Sequence, residues 1–206
     1  MKLALPALSL ALAASVAAQF YNESAAFQLV LISDDPSVNG DTLSACHSGA
    51  AIEALCLSNS NTTSKPDPIP AASFHFNFSD SVVTPNETLG QPGILTYWLQ
   101  TSTTPIPSAV ELYSDPTTNT AIPLFYPGAD RATTMAFDEN DMLNIQGYIN
   151  YSTSPPTAGN TTAYYRWWAC RIYYIGYTYE ALVWVEGPGE PETPRCAKVG
   201  VKRVFI

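Results

Sequence analysis

Prolines set the first limit on this chain. Seventeen of them are spread along 206 residues. A proline inside a helix removes a hydrogen bond and clashes with the preceding turn, so long helices have little room. Between clusters of proline, glycine, asparagine and aspartate lie short apolar or alternating stretches, the pattern of an all-β chain. Strands are expected at "FQLVLIS" (27–33), "SFHFNFS" (73–79), "GILTYWLQ" (93–100), "AVELYS" (109–114) and "AIPLFY" (121–126). Further strands are expected at "ATTMAF" (132–137), "MLNIQGYIN" (142–150), "YYRWWACRIYY" (164–174), "YTYEALVWV" (177–185) and "KVGVKRVF" (198–205). The breaks "KPDPIP", "TPIP", "TSPPTAG" and "GPGEPETPR" read as loops. The expected architecture is one antiparallel β-sandwich or barrel over residues 19–206, with little helix; about 188 residues suffice for a single domain with a real core.

Residues 1–18, "MKLALPALSLALAASVAA", have the form of a signal peptide: Lys2, a short apolar run from Leu3 to Leu12, and small residues at Val16-Ala17-Ala18. Cleavage is expected after Ala18, leaving Gln19 first. No later apolar run approaches the roughly 18 residues of a membrane span. Six N-x-S/T sequons fit an exported glycoprotein: Asn22, Asn61, Asn77, Asn86, Asn150 and Asn160. In an oxidising compartment the four cysteines are expected to form two disulfides. Three pairings are possible. Cys46–Cys56 and Cys170–Cys196 are favoured because each pair is close in sequence and brackets a turn-rich segment. "CHSGAAIEALC" has helical propensity, but a continuous helix would hold Cys46 and Cys56 about 15 Å apart, and a disulfide tolerates roughly 7 Å. The segment is therefore expected to turn near Ser48-Gly49.

The formal net charge is −9; without Lys2 it becomes −10, 8 basic against 18 acidic residues. The largest basic cluster is Lys202-Arg203. Nucleic acid and anionic membrane, which need concentrated positive charge, are poor partners for such a chain.

The segment 163–184 holds nine of the 24 aromatic residues. Strand alternation places Tyr164, Arg166, Trp168, Cys170, Ile172 and Tyr174 on one face and Tyr165, Trp167, Ala169, Arg171 and Tyr173 on the other. With both faces aromatic, two readings stand. One is a strand buried on both sides, since aromatics are favoured in strands and fill large volumes. The other is a stacking platform for sugar rings, on the face without Cys170: Tyr165, Trp167, Arg171 and Tyr173.

Few residues offer catalytic chemistry. Only His47 and His75 are available for a Ser-His-Asp arrangement, and no G-x-S-x-G elbow occurs. His47 falls inside the expected Cys46–Cys56 turn. In "SFHFNFS", Phe74, Phe76 and Phe78 share one face, which leaves His75 beside Asn77 on an exposed one. No metal site or cofactor is expected; "FDENDMLNI", with Asp138, Glu139 and Asp141, reads as a hairpin turn. A small β-glycanase would need two glutamates in an aromatic cleft, and Glu111, Glu180 and Glu186 are the candidates in strand contexts. Outward-facing strand carboxylates are the plainer reading of all three.

"FQLVLIS", "NGDTLSACHSGAAIEALCL", "QGYINYSTSPPTAG", "YYRWWAC", "GYTYEALVW" and "RCAKVGVKRVFI" together resemble a family of small secreted proteins of filamentous ascomycete fungi without an established function. In architecture alone the chain is also similar to fungal cell-wall and conidial-surface glycoproteins, some of them labelled IgE-binding antigens. The Cys46–Cys56 loop departs from those wall proteins. The resemblance implies a fungal, extracellular, β-rich domain and no catalytic residue; it carries the tryptophans and cysteines of "WWAC" and "RC" as a structural signature. The expected function is thus a secreted, non-catalytic glycoprotein, extracellular or in the cell wall, a surface antigen by analogy, with wall polysaccharide as the candidate partner. A carbohydrate-binding module and a small β-glycanase are the alternatives.

Overall fold

In the computed structural model, which describes residues 21–58, 69–80, 84 and 86–206, strands form wherever side chains alternate, and in two places where they do not. The expected leader with Gln19, and the sequon at Asn61, lie outside the described residues. In chain order the strands are β1 (Asn22–Glu23), β2 (Phe27–Ile32), β3 (Leu43–Gly49), β4 (Ile52–Leu57), β5 (Phe74–Phe78), β6 (Gly93–Leu99), β7 (Ile106–Ser114), β8 (Thr120–Pro127), β9 (Ala136–Phe137), β10 (Leu143–Asn150), β11 (Thr157–Tyr164), β12 (Trp167–Tyr174), β13 (Tyr177–Val185), β14 (Ala197–Lys198) and β15 (Gly200–Phe205). A single 3-10 turn at Glu87–Leu89 is the only helical element among the described residues.

Twelve strands make one antiparallel sheet in the order β14-β12-β13-β4-β8-β7-β6-β5-β2-β15, with β1 added to β5 and β3 to β4. Only Val199 separates β14 from β15, yet the two pair with opposite ends of this sheet. Ala197 and Lys198 lie against Ala169 and Trp168, and Gly200–Phe205 runs against Ile32–Phe27. The last strand of the chain thereby draws the sheet nearly closed, which removes most of its open edge. A smaller sheet, β11-β10-β9, lies against this wall, tied by bridges between Gly93 and Met135 and between Met142 and Lys202.

Alternation explains the inner face. Phe27, Leu29 and Leu31 of β2 are fully buried, as are Phe74 of β5 and Leu95 of β6. They join Phe125, Trp167, Leu182 and Trp184 in the main core, to which the small sheet adds Phe137 and Leu143. A second apolar cluster occupies the other face of β4, β8, β12 and β13: Ala54, Cys56, Ile122, Leu124, Cys170, Ile172, Ala181 and Val183. Where these residues lie, the four strands are buried on both faces, while the far end of β12 and the start of β13 run out to the surface. Pro123 is tolerated in β8 because it falls between two pairings, Thr120–Ala121 with β13 and Leu124–Phe125 with β4, where a missing ladder donor costs least.

Both expected disulfides are present, and both lie in the second cluster. Cys46 and Cys56 have Cα atoms 5.9 Å apart, Cys170 and Cys196 4.3 Å. "CHSGAAIEALC" forms the β3–β4 hairpin, with Cys46 opposite Ala54 and Cys56 opposite Ser44. The reversal comes at Ala50-Ala51, just past the expected position, and Ala51 takes a positive φ of 57°.

Several expectations need correction. "TSPPTAG" is only partly loop: β11 begins at Thr157, held by β10. The strand expected over 132–137 shrinks to Ala136–Phe137. The stretch 164–174 is two strands, broken at Tyr165-Arg166. His75 is half-buried rather than exposed, because β1 lies across β5; its Nδ1 is 3.2 Å from the Ser24 carbonyl and 3.5 Å from a Glu23 carboxylate oxygen.

Candidate functional site

Of the two readings of the aromatic strand, burial holds at Trp167, and the alternative platform of Tyr165, Trp167, Arg171 and Tyr173 does not assemble. Trp167 is fully buried. Its Nε1–H donates to the Leu143 carbonyl at 2.8 Å, and its ring meets Trp184 edge-on, centroids 4.8 Å apart. The physical reason is register: Trp167 lies opposite Trp184, so both indoles point into the main core and no ligand can stack on either. Further along β12 the same face emerges from the core, leaving Arg171 exposed opposite Glu180 and Tyr173 exposed opposite Thr178. Tyr165 sits in the break before β12, roughly 20 Å from Arg171 at strand rise. Its hydroxyl donates to Asp138 at 2.6 Å; burial, and then this bond, make it a weaker acid, its pKa pushed up to about 12.

The opposite face, with Trp168, Cys170, Ile172 and Tyr174, covers the second cluster. Tyr174 packs edge-on against Tyr113 at 5.2 Å and its hydroxyl is 3.4 Å from that of Tyr126. Burial and the Tyr174 contact raise the Tyr126 phenol well above its ordinary value. Lys198 lies over the Trp168 ring at 5.1 Å and donates to the Tyr165 carbonyl; burial and then Arg166 pull its pKa down.

The three candidate glutamates are not brought into one cleft. Glu111 accepts from Arg131 at 2.6 Å on the face opposite Leu112, which packs on the main core. Glu180 shares the face of Leu182, on the core side of the sheet. Glu186 accepts from the Ser114 hydroxyl, roughly 20 Å from Glu180 along the strand and about 10 Å from Glu111, across the sheet. Retaining and inverting pairs need about 5–10 Å across one open site. Asp138 caps its own hairpin, accepting from the Asn140 and Met142 amides, and Asp141 pairs with Arg203 at 2.6 Å. Among the described residues no group of three metal-ligating side chains converges.

Two concavities went unread in the sequence. A cleft of about 780 Å³ is lined by Ser44, Pro70, His75, Tyr97, Trp98 and Pro105, among others. Burial, then the Glu53 carboxylate, raise the Tyr97 phenol. Glu53 is itself buried 3.8 Å from His47, and burial lifts its pKa more than the imidazole lowers it. The second is a groove of about 500 Å³ at the β10–β11 hairpin, lined by Tyr148, Tyr151, Tyr164 and Arg166. Tyr148 is 60% and Tyr151 76% exposed. The Arg166 guanidinium lies 4.6 Å over the Tyr164 ring, and a Cβ at Gly147 would press that ring at 3.2 Å. The available signal was "YINYS", two exposed-type rings astride a sequon.

The described sequon asparagines are all at the surface to some degree. Asn86 and Asn160 are exposed; Asn22, Asn77 and Asn150 are half-exposed. Asn86 accepts from the amide and hydroxyl of its own sequon threonine, Thr88, and Asn150 does the same with Ser152 at 3.0 and 2.6 Å. Asn77 instead accepts from Thr96 at 2.7 Å.

A family model described as a domain of unknown function, DUF7907, matches residues 24–205. Neither a curated protein nor a solved structure matches the chain.

Proposed function

We propose, from the premise that the chain belongs to the DUF7907 family, that it is a non-catalytic, exported fungal glycoprotein, extracellular or held in the cell wall. The observation that carries this reading is where the covalent bonds lie. Both disulfides brace an apolar cluster on the outer face of the sheet, a device that persists in an oxidising compartment. The sequon amides at the surface support passage through a glycosylating pathway. Burial of Trp167, the centre of the alternative sugar platform, and the separation of Glu111, Glu180 and Glu186 support this reading over its two rivals.

Expression of the full chain with its leader in a yeast host tests the reading. The expected product appears in the medium, begins at Gln19, loses mass on N-deglycosylation and yields both disulfide-linked peptides on non-reducing mapping. Retention inside the cell, or free thiols in the exported protein, would overturn it. Incubation with chitin and β-glucan then distinguishes a wall-bound from a freely extracellular protein.

A further inference from the structure

The most exposed aromatic side chains in the described structure, apart from Tyr173, are at the tip of the β10–β11 hairpin. Tyr148 and Tyr151 stand in solvent, with nothing from the rest of the fold packed over them in either of the two apolar clusters. Large exposed rings in a cluster mark a surface that something covers. Asn150 lies two residues after Tyr148 on the same strand, so alternation puts both side chains on one face about 7 Å apart. The Asn150 side chain is already fixed: its Oδ1 accepts the amide and the hydroxyl of Ser152. That leaves Nδ2 turned away from these bonds, free to be substituted without disturbing them.

We propose that Asn150 carries an N-linked glycan whose first sugar lies on the Tyr148 ring, so that this patch is covered by the protein's own carbohydrate. In the attachment step Nδ2 bonds to the anomeric carbon of a diphosphate-activated sugar. The bond from that carbon to the diphosphate breaks, the diphosphate leaves with the electron pair, and the Nδ2 proton passes to a base. The apolar C–H face of the attached sugar then meets the flat phenol ring at the spacing the strand sets. Tethering raises the local sugar concentration far above that of any free polysaccharide. Across the hairpin, Gly159, Asn160 and Thr161 bulge opposite Tyr148, between the pairs Gly147–Thr162 and Ile149–Ala158. Asn160 is therefore a second source of the same chemistry. Asn150 is favoured because its side chain is held in place and Asn160 shows no such bond to its sequon hydroxyl. The inference rests on the proposed export through a glycosylating pathway.

The test uses the full chain secreted from a glycosylating host, mapped for occupancy at each sequon and trimmed to the first sugar. Thermal midpoints are compared for wild type, Tyr148→Ala, Asn150→Gln and the double variant. Tyr148→Ala is expected to lower the midpoint by about 2–4 °C in the glycosylated protein, the shift of one ring contact in a domain this size, and to do nothing in Asn150→Gln. Nitration of Tyr148 is expected to run several-fold faster once the folded protein is fully deglycosylated, a comparison that stands even where Asn150→Gln fails to fold. Absence of sugar at Asn150 while other sequons are filled overturns the inference and leaves the export reading intact; absence at every sequon overturns both. Equal effects of Tyr148→Ala with and without Asn150 overturn it. So does loss of the coupling in Asn160→Gln alone, which would make the neighbouring glycan the occupant. Tyr148-dependent retention on chitin or β-glucan would likewise overturn it, in favour of an outside polysaccharide.

Discussion

Trp167→Ala separates a core role from a gripping role for the aromatic segment. The indole is fully buried, packs edge-on against Trp184 and donates to the Leu143 carbonyl. Truncating a buried tryptophan to alanine costs about 3–5 kcal/mol, and the lost hydrogen bond adds about 1 kcal/mol. The sum, about 4–6 kcal/mol, is a large share of the roughly 5–15 kcal/mol that holds a typical domain together. At about 2–4 °C per kcal/mol for a domain of this length, the midpoint falls by roughly 10–20 °C. Trp167→Phe keeps most of the ring and loses the donor, so about 1–3 kcal/mol and a fall of roughly 3–10 °C are expected. Far-UV circular dichroism during heating reads both, and bead retention on chitin and β-glucan is measured in parallel on the folded Trp167→Phe protein. A Trp167→Ala midpoint equal to wild type, with polysaccharide retention abolished, would refute the burial and restore the platform.

The remaining expectations concern the braces, a turn and pH. Replacing both cysteines of one bridge by serine should cost more for Cys170–Cys196 than for Cys46–Cys56: the separations of 26 and 10 residues correspond to about 3.5 and about 2.7 kcal/mol of chain entropy, read as denaturant midpoints. Gly90→Ala should be far more harmful than Gly128→Ala, although φ is +86° and +84°. An added Cβ at Gly90 meets the Phe137 carbonyl oxygen at 1.8 Å, while at Gly128 nothing lies within 4 Å. The second variant should lose only about 1–2 kcal/mol of backbone preference. Burial raises the Glu53 carboxyl above its ordinary 4.5, and burial and then Glu180 raise that of Asp41 above 3.8. Stability from these neutral acids is full below the unfolded values and is lost as pH rises through the raised folded ones. Glu53→Gln should therefore match wild type near pH 4 and exceed its melting midpoint at pH 7.

Where side chains differ between the two faces of a strand, the fold was legible. Phe27, Leu29 and Leu31 alternate with less buried residues, as do Phe74 and Phe76 around His75, so both strands were plain. The cysteine pairing was legible because each pair is close in sequence and brackets a turn-rich segment, and the roughly 7 Å limit then required the Cys46–Cys56 segment to bend. The hairpin that supplies the bend was not. Ala, Glu and Leu of "AAIEALC" favour helix, and pairing with β3, β8 and β13 is what holds Ile52–Leu57 extended. Nor was β11, whose run of Thr, Ala, Gly and Asn has no apolar face and follows β10 as an edge. Burial of Trp167 was one of the two readings the sequence left open, and it could not be decided there for the opposite reason. With rings on both faces of its strand, periodicity carries no direction, and the indole's position is decided by Trp184 in the next strand.

That two-sidedness has a structural cause. A nearly closed sheet covers its inner face with itself, so an apolar outer face normally needs a second layer of helices or strands. Here the outer faces of β4, β8, β12 and β13 carry small or short side chains, Ala54, Cys56, Cys170 and Ala181, all at 2% exposure or less. Long rings from the same faces and their neighbours, Trp168, Tyr126, Tyr174 and Tyr179, pack over them. The Cys170–Cys196 bond pins the 186–196 segment to that wall, and the Tyr179 hydroxyl donates to the His47 carbonyl beside the other bridge. The aromatic density of 163–184 is thus divided between two cores: Tyr164, Trp167 and Trp184 serve the main one, while Trp168, Tyr174 and Tyr179 cover the second with side chains where other folds use a layer of backbone. Rings committed to either core are not free to hold a ligand, so the exposed tyrosines of the β10–β11 tip, which neither core uses, are left to the protein's own carbohydrate.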